Sequence, residues 1–169
     1  AAVRKGVDVG FEASVGGGIP VIRALTEGLA GNTIESIYGI INGTSNYILS
    51  RMTREGHSFE DVLTDAQRAG YAEADPTFDV AGIDSAHKLA ILVNLAYGTP
   101  VNFKDIYTEG ITNITPIDIA YAKQFGFTIK LLGIAKLVDG EIEARVHPTM
   151  LPSASPIAQV EDVYNAIQL

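Results

Sequence analysis

The chain has 169 residues, 47% hydrophobic and 19% charged, which is the size and make-up of one ordinary globular domain with enough apolar content for a sizeable core. Twelve Lys and Arg against 20 Asp and Glu leave a net charge of -8, and no basic run exceeds two residues, which argues against a nucleic-acid partner. Cysteine is absent, so disulfides and thiolate metal sites are excluded. The longest apolar stretch, Leu89 to Ala96, is broken by Asn94 and is too short to span a bilayer. With no signal-peptide pattern at the start, a soluble cytoplasmic protein is the expectation.

In chain order, Val7 to Ala13 reads as a strand that runs into the turn Ser14-Val15-Gly16-Gly17-Gly18. Ile19-Pro20 opens a helix with Val21, Ile22, Leu25 and Leu29 on one face and Gly28 and Gly31 at its end. The β-branched run from Thr33 to Ile41 is a strand, and Asn42-Gly43-Thr44-Ser45 turns into a helix from Asn46 to Arg54. Ser58 and Asp61 resemble a capping box for a third helix ending near Gly70. A polar loop covers Tyr71 to Gly82, and a buried helix runs from Asp84 to about Tyr97. Further on are a helix over Ile117 to Phe125, strands over Thr128 to Val138 and Ile142 to His147 joined by the hairpin signal Asp139-Gly140, and a helix from Pro156 to Gln168. Helices and strands are mixed with at least one antiparallel pair, so the fold class is α+β, a mixed sheet with helices packed on it.

Acidic residues are densest in Tyr71-Ala72-Glu73-Ala74-Asp75-Pro76-Thr77-Phe78-Asp79-Val80-Ala81-Gly82-Ile83-Asp84, which is followed by Lys88. Asp84 and Lys88 are four apart and share one helix face. Lys88 immediately precedes the apolar run Leu89 to Val93, so its ammonium is either paired or desolvated with a depressed pKa. The plain alternative is a solvated acidic loop with a surface ion pair, worth only about 0.3–0.5 kcal/mol.

This segment resembles the signature of the homoserine dehydrogenases: Ala66, three residues, Gly70-Tyr71-Ala72, two residues, Asp75-Pro76, two residues, Asp79-Val80, one residue, Gly82, one residue, Asp84, three residues, Lys88. Phe11 to Pro20 and Gly39 to Leu49 are similar to two further blocks of that family, so the resemblance covers essentially the whole chain. It implies an enzyme that interconverts L-homoserine and L-aspartate 4-semialdehyde with NAD or NADP, in threonine and methionine biosynthesis. The residue matching Lys88 is then the acid/base group. Asp84 lies beside it, Glu73 and Asp79 match binders of the substrate ammonium, and Gly43, Thr44 and Tyr71 match pocket positions.

A second lysine that the family places at its site belongs to a nucleotide-binding domain not contained in these residues. Residues 1–169 are accordingly expected to be a single substrate-binding and dimerising unit, inert alone, with 1–10 resembling the exit from a Rossmann domain. A function as an association module, through a homodimer, is the alternative. Gly16-Gly17-Gly18 does not complete a dinucleotide fingerprint, because its third glycine would fall at Val21. The resemblance implies instead a monovalent cation, Na+, held by the Glu12 carboxylate and the carbonyls of Val15, Gly17 and Ile19. His57, His87 and His147 lack metal-ligand spacing, and Tyr38, Tyr47, Tyr97, Tyr107, Tyr121 and Tyr164 read as core or interface residues.

Overall fold

The computed structural model describes residues 2–169. It opens with a single helical turn, α1 (Ala2–Lys5). The segment expected to be a strand from Val7 to Ala13 is irregular and ends in a 3-10 turn over Glu12–Ser14. Val7 and Val9 stay more than half exposed, and among the described residues no strand pairs with them; alternation alone does not hold an extended segment without a hydrogen-bonding edge. Ala1, the first residue of the expected domain exit, lies outside the described residues.

The first expected helix is present as α2 (Val21–Arg23), which widens into a π-helical stretch over Ala24–Gly28. Val21, Ile22 and Leu25 are its buried face. Strand β1 (Ser36–Ile40) delivers the chain to α3 (Gly43–Glu55). That helix starts earlier than its apolar pattern suggests, because the Asn42 side-chain oxygen accepts the Ser45 N–H at 2.8 Å and so caps it.

Helix α4 (Phe59–Arg68) begins where Ser58 accepts the Asp61 N–H at 3.2 Å. The Asp61 carboxylate takes the Ser58 hydroxyl rather than its backbone N–H, so the reciprocal box is incomplete there. The complete box is Thr115 with Asp118, at the start of α7 described below. Within the expected loop of 71–82 lies one turn of helix, α5 (Thr77–Val80), and α6 (Ile83–Tyr97) follows from Gly82, whose φ of +80° breaks the helix path between them.

Strand β2 (Tyr107–Thr108), α7 (Pro116–Gln124) and the long strands β3 (Phe127–Val138) and β4 (Glu141–Pro152) come next. Asp139 and Gly140, at φ of +52° and +83°, form the tight turn that joins β3 to β4. The expected helix from Pro156 to Gln168 is instead a 3-10 turn over Pro156–Gln159, a bend through Asp162 at φ +54°, and β5 (Ala166–Gln168). Ladder bonds to the free edge of β1 outweigh local helix preference at that end.

The sheet runs β2-β4-β3-β1-β5, antiparallel except for the β2–β4 pair, with α3 and α6 packed against it. Leu89, Leu92 and Val93 of α6 are fully buried with Ile37, Ile41, Ile48, Leu49, Met52 and Val146. Gly133 lets α6 come close: a side chain there would meet Ile41 Cδ1 at 3.1 Å and Leu89 Cδ1 at 3.5 Å. No helix among the described residues is long and apolar enough to cross a membrane. The result is an α+β fold, as the alternation of elements implies.

One charged side chain is buried in the sheet. Lys130 of β3 is 1% exposed, and its ammonium donates to the Val160 carbonyl at 2.6 Å, to Asn46 Oδ1 at 3.0 Å and to Ser50 Oγ at 3.4 Å. Desolvation brings its pKa down from 10.5 to about 8, with Glu161 and Asp162 opposing the shift. Below pH 8 both the folded and unfolded chains carry this proton and the burial cost is fully present. Between pH 8 and 10.5 the unfolded chain binds the proton that the fold releases, so this group adds stability as pH rises. The urea midpoint of the native chain is therefore expected to rise relative to that of Lys130→Met between pH 7.5 and 9.5; parallel pH profiles for the two proteins would contradict this account.

Candidate functional site

The acid cluster and its lysine are assembled where β1 ends and three helices meet. The strand exit, Ile41-Asn42, is buried, and Asn42 caps α3. Helix α5 supplies Asp79, and the first turn and a half of α6 supplies Asp84 and Lys88. The α5–Gly82–α6 corner is fixed by backbone bonds, with Ile111 N–H donating to the Val80 carbonyl at 2.8 Å and Ala86 N–H to the Gly82 carbonyl at 3.0 Å.

Lys88 Nζ lies 2.6 Å from Asp84 Oδ2 and 3.1 Å from the Ile41 carbonyl oxygen. Of the two expectations for this lysine, paired or desolvated, the structure shows the pair. The side chains of Lys88 and Asp84 are 25% and 19% exposed, which separates them from a freely solvated surface pair. The Asn42 amide nitrogen donates to Asp79 Oδ1 at 2.7 Å and to Asp84 Oδ2 at 2.9 Å. Ser45 Oγ donates to the Asp79 carbonyl at 3.0 Å, so the first turn of α3 holds Asp79 from two sides.

The remaining expected site residues surround this cluster unequally. Thr44 donates its hydroxyl to the Tyr71 carbonyl at 3.2 Å, and the Tyr71 ring rests on Tyr47 of α3 with centroids 4.7 Å apart. Gly43 is the point of closest approach to the segment before β5, where a side chain would come within 2.8 Å of the Val163 carbonyl. Glu73 is exposed, and its backbone carbonyl, rather than its carboxylate, is tied down, by Gln67 at 3.0 Å. His87 turns away from the Asp84–Lys88 face and packs between Phe78 and Phe103.

The glycine turn is a separate region. Both Glu12 carboxylate oxygens accept backbone N–H groups at the start of α2, from Ile22 at 2.8 Å and Arg23 at 3.0 Å. The carboxylate thus occupies the N-terminal end of that helical segment. Among the described residues the Val15 and Gly17 carbonyls accept no hydrogen bond, whereas the Ile19 carbonyl accepts the Val21 N–H at 2.8 Å.

Sequence reasoning missed Asn42 and Ser45 as members of the cluster, and Lys130 as a buried charge. Asn42 carried a signal, an N-cap residue directly after a strand, but nothing local reveals that its free amide would face two carboxylates from another part of the chain. Lys130 carried a plainer one, a cation at an inward position of the apolar run from Phe127 to Val138. With the Lys88 and Asp84 side chains 25% and 19% exposed, the cluster is partly covered and reachable from solvent.

Comparison with known proteins gives one consistent answer. The family model described as Homoserine dehydrogenase matches residues 20–169. A homoserine dehydrogenase of Pseudomonas aeruginosa is 55% identical over 168 residues, covering 99% of this chain and 39% of that protein. The crystal structure of a homoserine dehydrogenase from Thiobacillus denitrificans matches with a TM-score of 0.96 at 57% identity, over 98% of this chain and 38% of that one. A hyperthermophilic archaeal homoserine dehydrogenase in complex with NADPH matches with a TM-score of 0.75 at 32% identity, over 93% of this chain and 44% of that one. The chain thus spans less than half the length of these relatives, and it belongs to the homoserine dehydrogenase family.

Proposed function

We propose that residues 1–169 form a single unit, the substrate-binding and proton-transferring part of an NAD(P)-dependent enzyme that interconverts L-homoserine and L-aspartate 4-semialdehyde, inert without the rest of its protein. The observation that carries this is the way Lys88 is held. An ammonium has three N–H donors; one goes to Asp84 and one to the Ile41 carbonyl, which leaves one for a substrate oxygen. The glycine turn offers no nucleotide cradle, so the nicotinamide is assigned to sequence outside these residues. When bound, it supplies or takes up a hydride at the substrate carbon.

The chain's own contribution is proton transfer and orientation. In the reducing direction the free N–H of Lys88 donates to the aldehyde oxygen, and the proton passes to that oxygen as the carbon is reduced, leaving a neutral amine. In the oxidising direction that amine accepts the hydroxyl proton. Asp79 and Glu73, with Gly43, Thr44 and Tyr71 alongside, hold the amino-acid end of the substrate, whose ammonium needs carboxylate partners. In the full-length protein that carries this chain, Lys88→Ala is expected to lower kcat by roughly 10²–10⁴, the usual range for losing a general acid/base. A change confined to KM would make Lys88 a binding residue instead.

The Glu12 turn has the donor types that Na+ takes: a carboxylate with lone pairs remaining beyond its two N–H bonds, open carbonyls at Val15 and Gly17, and the Ile19 carbonyl, which also accepts the Val21 N–H. Its job would be to stiffen the approach to α2 rather than to take part in the chemistry. Thermal melting in sodium chloride against N-methylglucamine chloride at equal ionic strength is expected to show a sodium-specific rise for the native chain and none for Glu12→Ala. Equal melting in the two salts would remove this assignment.

A homodimer is the second reading, favoured by one observation. Ile117 and Tyr121 of α7 and Phe125 just after its end, spaced four apart, are 65%, 59% and 68% exposed, and Met150 of β4 is 51% exposed. A stripe of that kind is costly to leave in water and is what an association surface presents. Light scattering is expected to give a dimer that Tyr121→Asp with Phe125→Asp converts to monomer; a native monomer would leave this reading without support. We also place it in the cytoplasm, where a nicotinamide pool is available to such an enzyme.

A further inference from the structure

The Ile41-Asn42 dipeptide meets both members of the ion pair, each with the group of matching polarity. The Ile41 carbonyl accepts from the Lys88 ammonium, and the Asn42 amide donates to the Asp84 carboxylate oxygen that Lys88 also contacts. The second N–H of the same amide goes to Asp79, and its oxygen accepts from the Ser45 backbone. Both N–H donors of the side chain are used, and its oxygen holds one further bond. The amide orientation follows from this, because a flipped amide would set an oxygen against two carboxylates and an N–H against another N–H. Asn42 is 6% exposed, so water does not substitute for these bonds.

This arrangement bears on a step that the ion pair alone handles badly. Whenever Lys88 has given up its proton, Asp84 keeps a negative charge beside a neutral amine and next to a second carboxylate. A part-buried carboxylate in that position is costly unless other donors remain. Asn42 is the donor that remains, and it cannot itself be deprotonated or carried off with the substrate. We propose that Asn42 is a positioning residue for the reaction: its amide locks Asp79 and Asp84 into one rigid acceptor and keeps Asp84 solvated while Lys88 is neutral. The inference rests on the reading of Lys88 as the proton-transferring group.

The test uses the fact that Asn42 also caps α3, a role that Ser and Asp fill equally well. Asn42→Ser keeps the cap and removes both amide bonds to the carboxylates; Asn42→Asp keeps the cap and adds a third negative charge. In the full-length protein that carries this chain, melting temperatures and the reducing and oxidising reactions are measured across pH for both variants and for Lys88→Ala. Asn42→Ser is expected to melt close to the native protein yet lose at least tenfold in kcat, with a smaller change in KM. Its homoserine-oxidation profile is expected to rise at higher pH, because an Asp84 short of donors holds the Lys88 proton more tightly. Asn42→Asp is expected to move further in the same direction. Native kcat and an unshifted profile in Asn42→Ser would reduce Asn42 to a helix cap and overturn the inference. Should Asn42→Ser fold poorly, a native kcat and profile in Asn42→Asp would overturn it equally. Retained kcat in Lys88→Ala would instead sink the reading on which it rests.

Discussion

The seat of α6 across the sheet governs most of what this chain can do. Leu89, Leu92 and Val93 are fully buried against β3, β4 and the end of β1, each contributing about 1.5–3 kcal/mol of burial. Gly133 allows the helix to lie that close. The buried face of α6 runs from Ser85 and Ala86 through Leu89, Leu92 and Val93, and Asp84 and Lys88 lie on its partly exposed side, beside the point where β1 gives way to α3. Their distance from Ile41 and Asn42 is therefore set by apolar packing a few ångströms away, not by the ion pair itself.

The polar cluster that results divides its labour by polarity. The strand exit presents a carbonyl to the ammonium and an amide to the carboxylates, so neither member of the pair depends wholly on the other. Asp79 is joined to the same point through α5, with its carbonyl held by Ser45 and its carboxylate by Asn42. A second buried polar seat lies on the other side of α3, where Lys130 gathers Asn46, Ser50 and Val160 and draws the 160–165 segment toward Gly43. Helix α3 is thus fixed at its first turn by one cluster and along its side by the other. The Gly43-Thr44 corner lies between them.

Much of this was legible in the sequence. The four-residue spacing of Asp84 and Lys88 placed them on one face, the Asp139-Gly140 turn joined two long strands, the Asn42–Ser45 turn and the Ser58–Asp61 capping signal located α3 and α4, and the apolar run from Leu89 located α6. Two segments misled for the same reason. Val7 to Ala13 alternates like a strand but finds no edge, whereas 156–168 has a helical look but finds the free edge of β1. In both, the deciding partner is far away in the chain, and local preference of a few tenths of a kcal/mol per residue is weaker than a ladder of hydrogen bonds gained or missing.

The sequence by itself determined the α+β class, the family resemblance and the identity of the acids and lysine to which the proposed chemistry is assigned, because spacing along a helix and a dense motif are local properties. Tertiary structure alone decided that Lys88 is paired with Asp84, that Lys130 is the lysine whose pKa burial depresses, and that an asparagine 37 and 42 residues away bridges Asp79 and Asp84. The reason is that pairing and burial depend on which distant segments share a point in space, and that is fixed by how the helices pack on the sheet.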